Sequence, residues 1–424
     1  MAGKLVSVGT HNIRKGHQSA LEEYQWDTTL NNNITFTSGQ LIKLTYRQAP
    51  CNQTLESVFF DYRLTNNSGA DVEVLPLWAG GVREMRVYIN NKRVVDWNRE
   101  EQCRTAWNQT LLTSHDTDKA RDNQYHVATG EASVLDGAGQ FSSVLLPAGG
   151  THQFHLNFKD IFEILSAGLP LTKVGLIEVE MNLSGRGDFV CNPQAAVGSL
   201  QIDNLLVYSR HKRHIEAIAP RASFGSFTLM HKDYDIHQFT PSQHPFATPN
   251  SEFDVNVSVD FPMRKYITRL IVFARDVASQ EAYRQVDSSW VQSMELLRNG
   301  LTLLGTEYHY DTQRKIFKEV SNWLNRHHAC GSPTHPGDLG HGDSFYLNFV
   351  DCSTVQHSQV TNASHESKDV EINGIDNVSN LVLRIKNGAG VVSATSNLVV
   401  LLEYNRFDKV QGNGAVVKVL ENNA

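Results

Sequence analysis

The sequence predicts an all-β protein made of two tandem β-sandwiches, each with room for about eight strands, with short helical insertions. Three observations predict it. Short apolar runs alternate with a period of two and end at Gly, Asn, Asp or Pro, as half-buried strands do. Three segments of the first half recur in the second half in the same order. Helical periodicity is confined to three stretches and reads as excursions from a β framework.

Residues 1–30 read as an N-terminal arm, with Lys4, Arg14 and Lys15 ahead of the first acid at Glu22. Strands follow at Ile34–Thr37, Leu41–Tyr46 and Ser57–Tyr62. Met85–Val95 places strand residues on both sides of Asn90-Asn91, a pair that tolerates the positive φ of a two-residue turn, so it is a β-hairpin. The region after Asn98 has a helical pattern. The turn Leu146-Pro-Ala-Gly-Gly150 leads into a strand from Phe154, and Asp160 with Glu163 fits a capping box that starts a helix over Ile161–Ser166. Strands resume at Val174–Met181 and Leu205–Arg210. The polar, basic stretch Arg210–Pro220 then marks the joint between halves.

The second half opens with a strand at Phe227–Met230. Met294–Leu304 repeats the hairpin layout around Asn299-Gly300. Between Asp311 and Asn325, the residues Ile316, Phe317, Val320, Trp323 and Leu324 form one helical stripe. Strands at Phe345–Asp351 and Leu398–Leu402 close the framework. The repeated pairs are Met85–Val95 with Met294–Leu304, Phe154–Asp160 with Phe345–Asp351, and Leu205–Arg210 with Leu401–Arg406, separated by 209, 191 and 196 residues. Loop insertions in a duplicated unit produce differences of this size. The expected organisation is an arm at 1–30, a first sandwich at 31–212, a linker at 213–225, a second sandwich at 226–406 and a tail at 407–424.

Composition narrows the function. The chain has 424 residues, 40% hydrophobic and 20% charged, an ordinary globular balance long enough for more than one core. With 38 Lys and Arg against 45 Asp and Glu, the net charge is −7, which gives no overall basic field for nucleic acid. Cys51, Cys103, Cys191, Cys330 and Cys352 are odd in number and contain no CxxC pair, so reduced thiols are expected. The first residues lack the apolar core of a signal peptide, and the uncharged stretch Asn387–Leu402 is broken by Ser393, Thr395, Ser396 and Asn397, so synthesis in the cytosol and no membrane span are expected. The sequons at Asn33, Asn52, Asn108 and Asn256 are then chance products of an Asn-rich β-protein.

The tandem halves, the Asn299-Gly300 hairpin, the Leu146–Gly150 turn running into Phe154-His-Leu-Asn-Phe158, the strand Ile177–Leu183, and the closing strands ending Tyr208-Ser-Arg210 and Tyr404-Asn-Arg406 resemble a known family. The chain is similar, over roughly residues 30 to 406, to the double jelly-roll major capsid proteins of tailless icosahedral double-stranded DNA viruses, the lineage of virophages, polinton-like viruses and adenoviruses. The resemblance rests on architecture and strand texture, and it implies two eight-stranded jelly rolls. It also implies a homotrimer acting as a pseudo-hexameric capsomer beside neighbouring capsomers, with penton and minor capsid proteins as further partners. It places the protein in the virion, made in the host cytoplasm, with no enzymatic activity, no cofactor and no specific nucleic acid. The cationic arm would face inward, toward an internal membrane or minor proteins. The long segments Asn98–Tyr125, Val277–Ser293 and His327–Asp343 would supply trimer contacts and an outer tower. The alternative from another class is a tandem jelly-roll carbohydrate-binding protein or hydrolase. That reading lacks an aromatic platform, because Trp26, Trp78, Trp97, Trp107, Trp290 and Trp323 are scattered.

No residue is assigned to catalysis, a cofactor or a metal. His152 and His155 are three apart on a strand and point to opposite faces, and the second half offers Ser344 and Tyr346 instead of histidines. The segment 327–343 gathers His327, His328, Cys330, His335, Asp338, His341 and Asp343, but at no standard zinc spacing and amid Gly and Pro, so an exposed loop is expected. Arg186-Gly187-Asp188 spells an integrin tripeptide of a kind that arises often by chance. Arg210–His214 reads as a solvated basic patch. No Gly-rich phosphate loop and no nucleophile elbow stands out.

Overall fold

The computed structural model describes residues 19–28, 34–35, 40–48, 53–74, 77, 81–99, 101–103, 144–157, 165, 169–184, 200–214, 226–258, 265–276, 286–287, 290–303, 308–309, 349–352, 356–360, 370–376, 380–389, 392 and 394–418. The described residues are almost entirely strand and turn.

Eight strands frame the first half: β1 Ser19–Gln25, β2 Leu41–Arg47, β3 Gln53–Asn66, β4 Val82–Ile89, β5 Lys92–Trp97, β6 Thr151–Asn157, β7 Leu176–Leu183 and β8 Leu200–His214. Eight more frame the second: β9 Ser226–Phe239, β10 Glu252–Asn256, β11 Tyr266–Asp276, β12 Val291–Arg298, β13 Leu301–Thr302, β14 Phe349–Asp351, β15 Leu381–Asn387 and β16 Ser396–Gln411. In the first half the pairings run β1-β8-β3-β6 in one sheet and β2-β7-β4-β5 in the other. The second half repeats that order eight strands later, with β9-β16-β11 flanked by β14, and β10-β15-β12-β13. All of these pairings are antiparallel. Two four-stranded sheets in this interleaved order are a jelly roll, and the chain holds two.

Local chemistry explains why these residues form these strands. In β2 and β7, buried and half-exposed residues alternate, with Ile42, Leu44 and Tyr46 opposing Met181, Val179 and Ile177 across the ladder. Asn90, Asn91, Asn299 and Gly300 all adopt positive φ, of 47°, 65°, 52° and 77°. The two hairpins share one register: Tyr88 faces Arg93 as Leu297 faces Thr302, and Ile89 faces Lys92 as Arg298 faces Leu301.

The structure amends the expected boundaries. Ser19–Gln25 and Asp27–Thr28, expected in the arm, are strands of the first jelly roll, β1 pairing along β8 from Gln25 opposite Tyr208 to Ser19 opposite His214. Arg213 and His214, expected in the linker, end β8, and β16 runs through the expected tail to Gln411 before a further strand at Val416–Lys418. β1 and the end of β8 are polar or charged and are held by their ladder pairing, which is why periodicity passes over them. Of the helix expected after Asn98, residues 101–103 are helical and the residues that follow lie outside the described ones. Residue 165 is the only described residue of the expected helix at 161–166, and the one at 311–325 lies outside the described residues.

The core is continuous across the joint. One buried cluster fills the first sandwich, with Trp26, Leu44, Phe60, Tyr62, Val87, Phe154 and Val179, and continues into Tyr234, Ile271, Phe273, Val399 and Leu401 of the second half. A second cluster, with Phe246, Leu270, Val272, Met294, Leu383, Leu398, Val400 and Leu402, fills the second sandwich. Successive residues of β11 and β16 therefore point alternately into their own sandwich and toward the first half. In the sheet β9-β16-β11 the two strands β16 and β11 are buried on both faces at Leu398–Leu402 and Leu270–Ala274.

Candidate functional site

The contact between the halves holds several of the buried polar groups among the described residues, including Glu101, Gln102, Asp233 and His231. The hairpin β4–β5 and the turn at 101–103 sit against the outward face of β9-β16-β11. Trp97 meets Tyr234 edge-on at 5.7 Å between ring centroids, and its Nε1 donates to Asp233 Oδ1 at 3.1 Å. Glu101 accepts hydrogen bonds from Gln238 and Arg275, which flank Val399 and Phe273 on that face. Gln102 Nε2 donates to the Tyr234 carbonyl. At the hairpin tip, Asn90 Nδ2 donates to the carbonyl of Gly414 at 2.7 Å, and Arg406 Nη2 reaches the Arg93 carbonyl at 3.3 Å.

Behind these contacts lies a buried charge network. Asp233 Oδ2 accepts from Tyr404 Oη at 3.1 Å and lies 3.4 Å from Arg406 Nη1. Arg406 Nε is 3.0 Å from Asp408 Oδ2, which also meets His231 Nε2 at 2.9 Å. Burial works against the Arg406 charge, but Asp408, Asp233 and Tyr404 outweigh it and hold its pKa above the ordinary arginine value. Burial, reinforced by the Asp233 and Asp235 carboxylates, pushes the Tyr404 phenol well above the ordinary tyrosine value. Beside them, buried Glu403 receives Arg269 Nη2 at 2.7 Å and Lys232 Nζ at 3.0 Å. Carboxylates and cations enclosed together in this way hold one geometry, because removing any partner strands a buried charge. The network lies within the second half and reaches the first through Trp97, which donates to Asp233, and through the Arg93 carbonyl, which accepts from Arg406.

The residues weighed in the sequence fall as follows. His152 and His155 lie on β6, opposite Leu64 and Asp61 of β3, three positions apart on one strand, and His152 packs edge-on against Phe154 at 4.7 Å. Arg210–His214 is not one continuous patch. Arg210 is exposed, donates to Glu23 at 2.8 Å and lies over the Phe59 ring, whereas His211 is buried between Ser209 and Gln53. Cys103 and Cys352 are buried, with Sγ 3.9 Å from the Arg83 carbonyl oxygen and 3.8 Å from the Val350 carbonyl oxygen. Arg186-Gly187-Asp188, the 327–343 segment, and Cys51, Cys191 and Cys330 lie outside the described residues. Among the described residues, no group of three or more His, Cys, Asp or Glu side chains is placed to hold a metal, and no helix is long and apolar enough to cross a membrane. Of the segments expected to serve assembly, Glu101–Cys103 belongs to the contact between the halves. Asp233, His231 and Asp408 escaped the sequence reading. Their only signal is charge inside otherwise strand-like runs.

No protein-family model matches the sequence, and a search of curated proteins finds no relative. Solved structures do match. The structure of VP54 of the virus PBCV-1, fitted into a reconstruction of the virophage Sputnik, superposes with a TM-score of 0.59 at 10% identity, over 97% of this chain and 98% of that one. A quasi-atomic PBCV-1 capsid gives the same values. The cryo-EM structure of the Sputnik virophage gives 0.54 at 10% identity, over 98% of this chain and 91% of that one. This chain has the double jelly-roll fold of viral capsid proteins. The double jelly roll accounts for the eightfold strand order occurring twice and for the repeat seen in the sequence.

Proposed function

We propose that this double jelly-roll chain is a major capsid protein of an icosahedral virus and has a structural role, not a catalytic one. The carrying observation is that the capsid likeness spans nearly the full length of both chains, with each jelly roll complete and the two locked at a buried joint. A shell component must keep a fixed angle between its units, and the network from Trp97 to Asp408 supplies one. On this reading three copies form a pseudo-hexameric capsomer of six jelly rolls, the joint between domains falls at 215–225, the arm faces minor capsid proteins or an internal membrane, and penton proteins are further partners. The protein then resides in the virion after synthesis in the host cytoplasm.

The test is the mass of the purified protein at micromolar concentration, by sedimentation or light scattering. Three times the chain mass of 47.5 kDa is expected. A monomer overturns the capsomer reading.

A further inference from the structure

Equivalent surfaces of the two halves have unequal fates. The outward face of β9-β16-β11 is covered by the hairpin β4–β5 and the turn that follows it. The corresponding face of β1-β8-β3 carries Leu206, 38% exposed, opposite Asp61, beside the Phe59–Tyr208 stack and exposed Arg210. The counterpart of the covering hairpin is β12–β13, which has the same register and the same positive-φ turn. Superposed on their turns, Val94 of the first hairpin matches Leu303 of the second. Val94 is fully buried and Leu303 is 37% exposed, while Leu301, next to the turn, is 74% exposed. Among the described residues five large hydrophobic side chains are exposed, and three of them, Leu206, Leu301 and Leu303, fall on these two surfaces.

We propose that the β1-β8-β3 face around Leu206 docks the β12–β13 hairpin, with Leu301 and Leu303, of a second copy of this chain, repeating between molecules the contact that the halves make within one. The inference rests on the capsomer reading and gives it an interface. Such a contact joins unlike surfaces, so each copy offers one face and one hairpin, and repetition closes a ring when the rotation allows. An exposed leucine pair meeting an exposed leucine beside aromatic rings and an arginine matches the composition of interface cores.

The experiment compares sedimentation of the full chain as wild type, Leu206→Asp, the pair Leu301→Asp with Leu303→Asp, and Leu145→Asp. Leu145 is 60% exposed and lies on neither surface, so it controls for added charge. The expected result is a trimer for wild type and L145D, and loss of the trimer for the other two, with circular dichroism and melting unchanged. If an aspartate variant misfolds, serine at the same positions carries the test. A folded L206D or L301D/L303D variant that stays trimeric overturns the interface and leaves the capsomer standing, as does dissociation of L145D. A monomeric wild type defeats the capsomer reading itself.

Discussion

Trp97 is the most informative residue to remove. Its indole is almost fully buried, packs on Tyr234 across the joint, and donates to Asp233. Truncation of a buried tryptophan to alanine costs about 3–5 kcal/mol through lost contacts and the cavity left behind. Asp233 keeps Tyr404, Arg406 and the Tyr234 amide, so it is not stranded, and the cavity dominates. In a unit of this size each kcal/mol lowers Tm by about 2–4 °C, so Trp97→Ala should melt about 6–20 °C below wild type. Because the loss falls at the joint, the calorimetric transition should also broaden or split as the halves uncouple. Trp97→Phe keeps a ring against Tyr234 and removes the N–H, at a cost of about 1–2 kcal/mol. The assay is differential scanning calorimetry at one fixed protein concentration, since association shifts Tm by mass action. A W97A variant melting within about 2 °C of wild type in a single sharp transition would refute the anchoring role of the residue.

Tyr62 Oη accepts the buried amide of Leu77 at 2.9 Å, so Tyr62→Phe leaves that donor unpaired and should lower stability by about 1–3 kcal/mol, read as a lower urea midpoint at unchanged slope. Gly374 has φ of 134° and a Cβ there would lie 2.7 Å from the Ile267 carbonyl oxygen, whereas Gly300 has φ of 77° and open space. Gly374→Ala should therefore destabilise well beyond the roughly 1–2 kcal/mol of left-handed strain expected for Gly300→Ala, and equal melting of the two would contradict the clash. Burial lowers the pKa of His237, opposed by Asp235 and aided by Lys265, and burial lowers that of His244. Below the unfolded value of 6.5 the unfolded chain binds more protons, so stability is full above that pH and falls as pH drops below it. The slope between pH 7.5 and 5.5 should flatten in His237→Gln, and an unaltered slope would remove His237 from the account.

The strand framework was legible where one face is wet. Leu41–Arg47 and Leu176–Leu183 alternate in burial as they alternate in sequence, and the Asn-Asn and Asn-Gly pairs announced both hairpins. The repeat was legible at the level of strands. At the level of residues it holds for the hairpins, while Leu205 is only partly buried beside a register shift at Asn204 and Leu401 is wholly enclosed. Charged strand ends were not legible. Ser19–Gln25 owes its conformation to Arg210 and its neighbours, and Asp233 is 171 residues from Tyr404. Periodicity reports a local face, and these partners are not local.

One sequence feature separates the two halves further. Where the first half has Ser57-Val-Phe-Phe-Asp-Tyr62, mixing polar residues into the strand, the second has Leu270-Ile-Val-Phe-Ala274 and Leu398-Val-Val-Leu-Leu402, with no polar interruption. A strand buried on one face alternates, and a strand buried on both reads as a continuous apolar run. The runs in β11 and β16 match that rule, since their odd-numbered side chains meet the first half and their even-numbered ones fill the second sandwich. On β3 and β8 the outward positions are Ser57, Phe59, Asp61 and Arg63 against Arg210, Tyr208, Leu206 and Asp203, a mixed surface with a cross-strand ion pair at 2.6 Å between Arg63 and Asp203. Two copies of one fold have thus diverged on the same face according to what covers it. The centre of the face covered within the chain, at Ile271, Phe273, Val399 and Leu401, is apolar with polar groups such as Gln238 and Arg275 at its margin, and its twin stayed amphipathic, as a surface must that is soluble alone before it meets a partner.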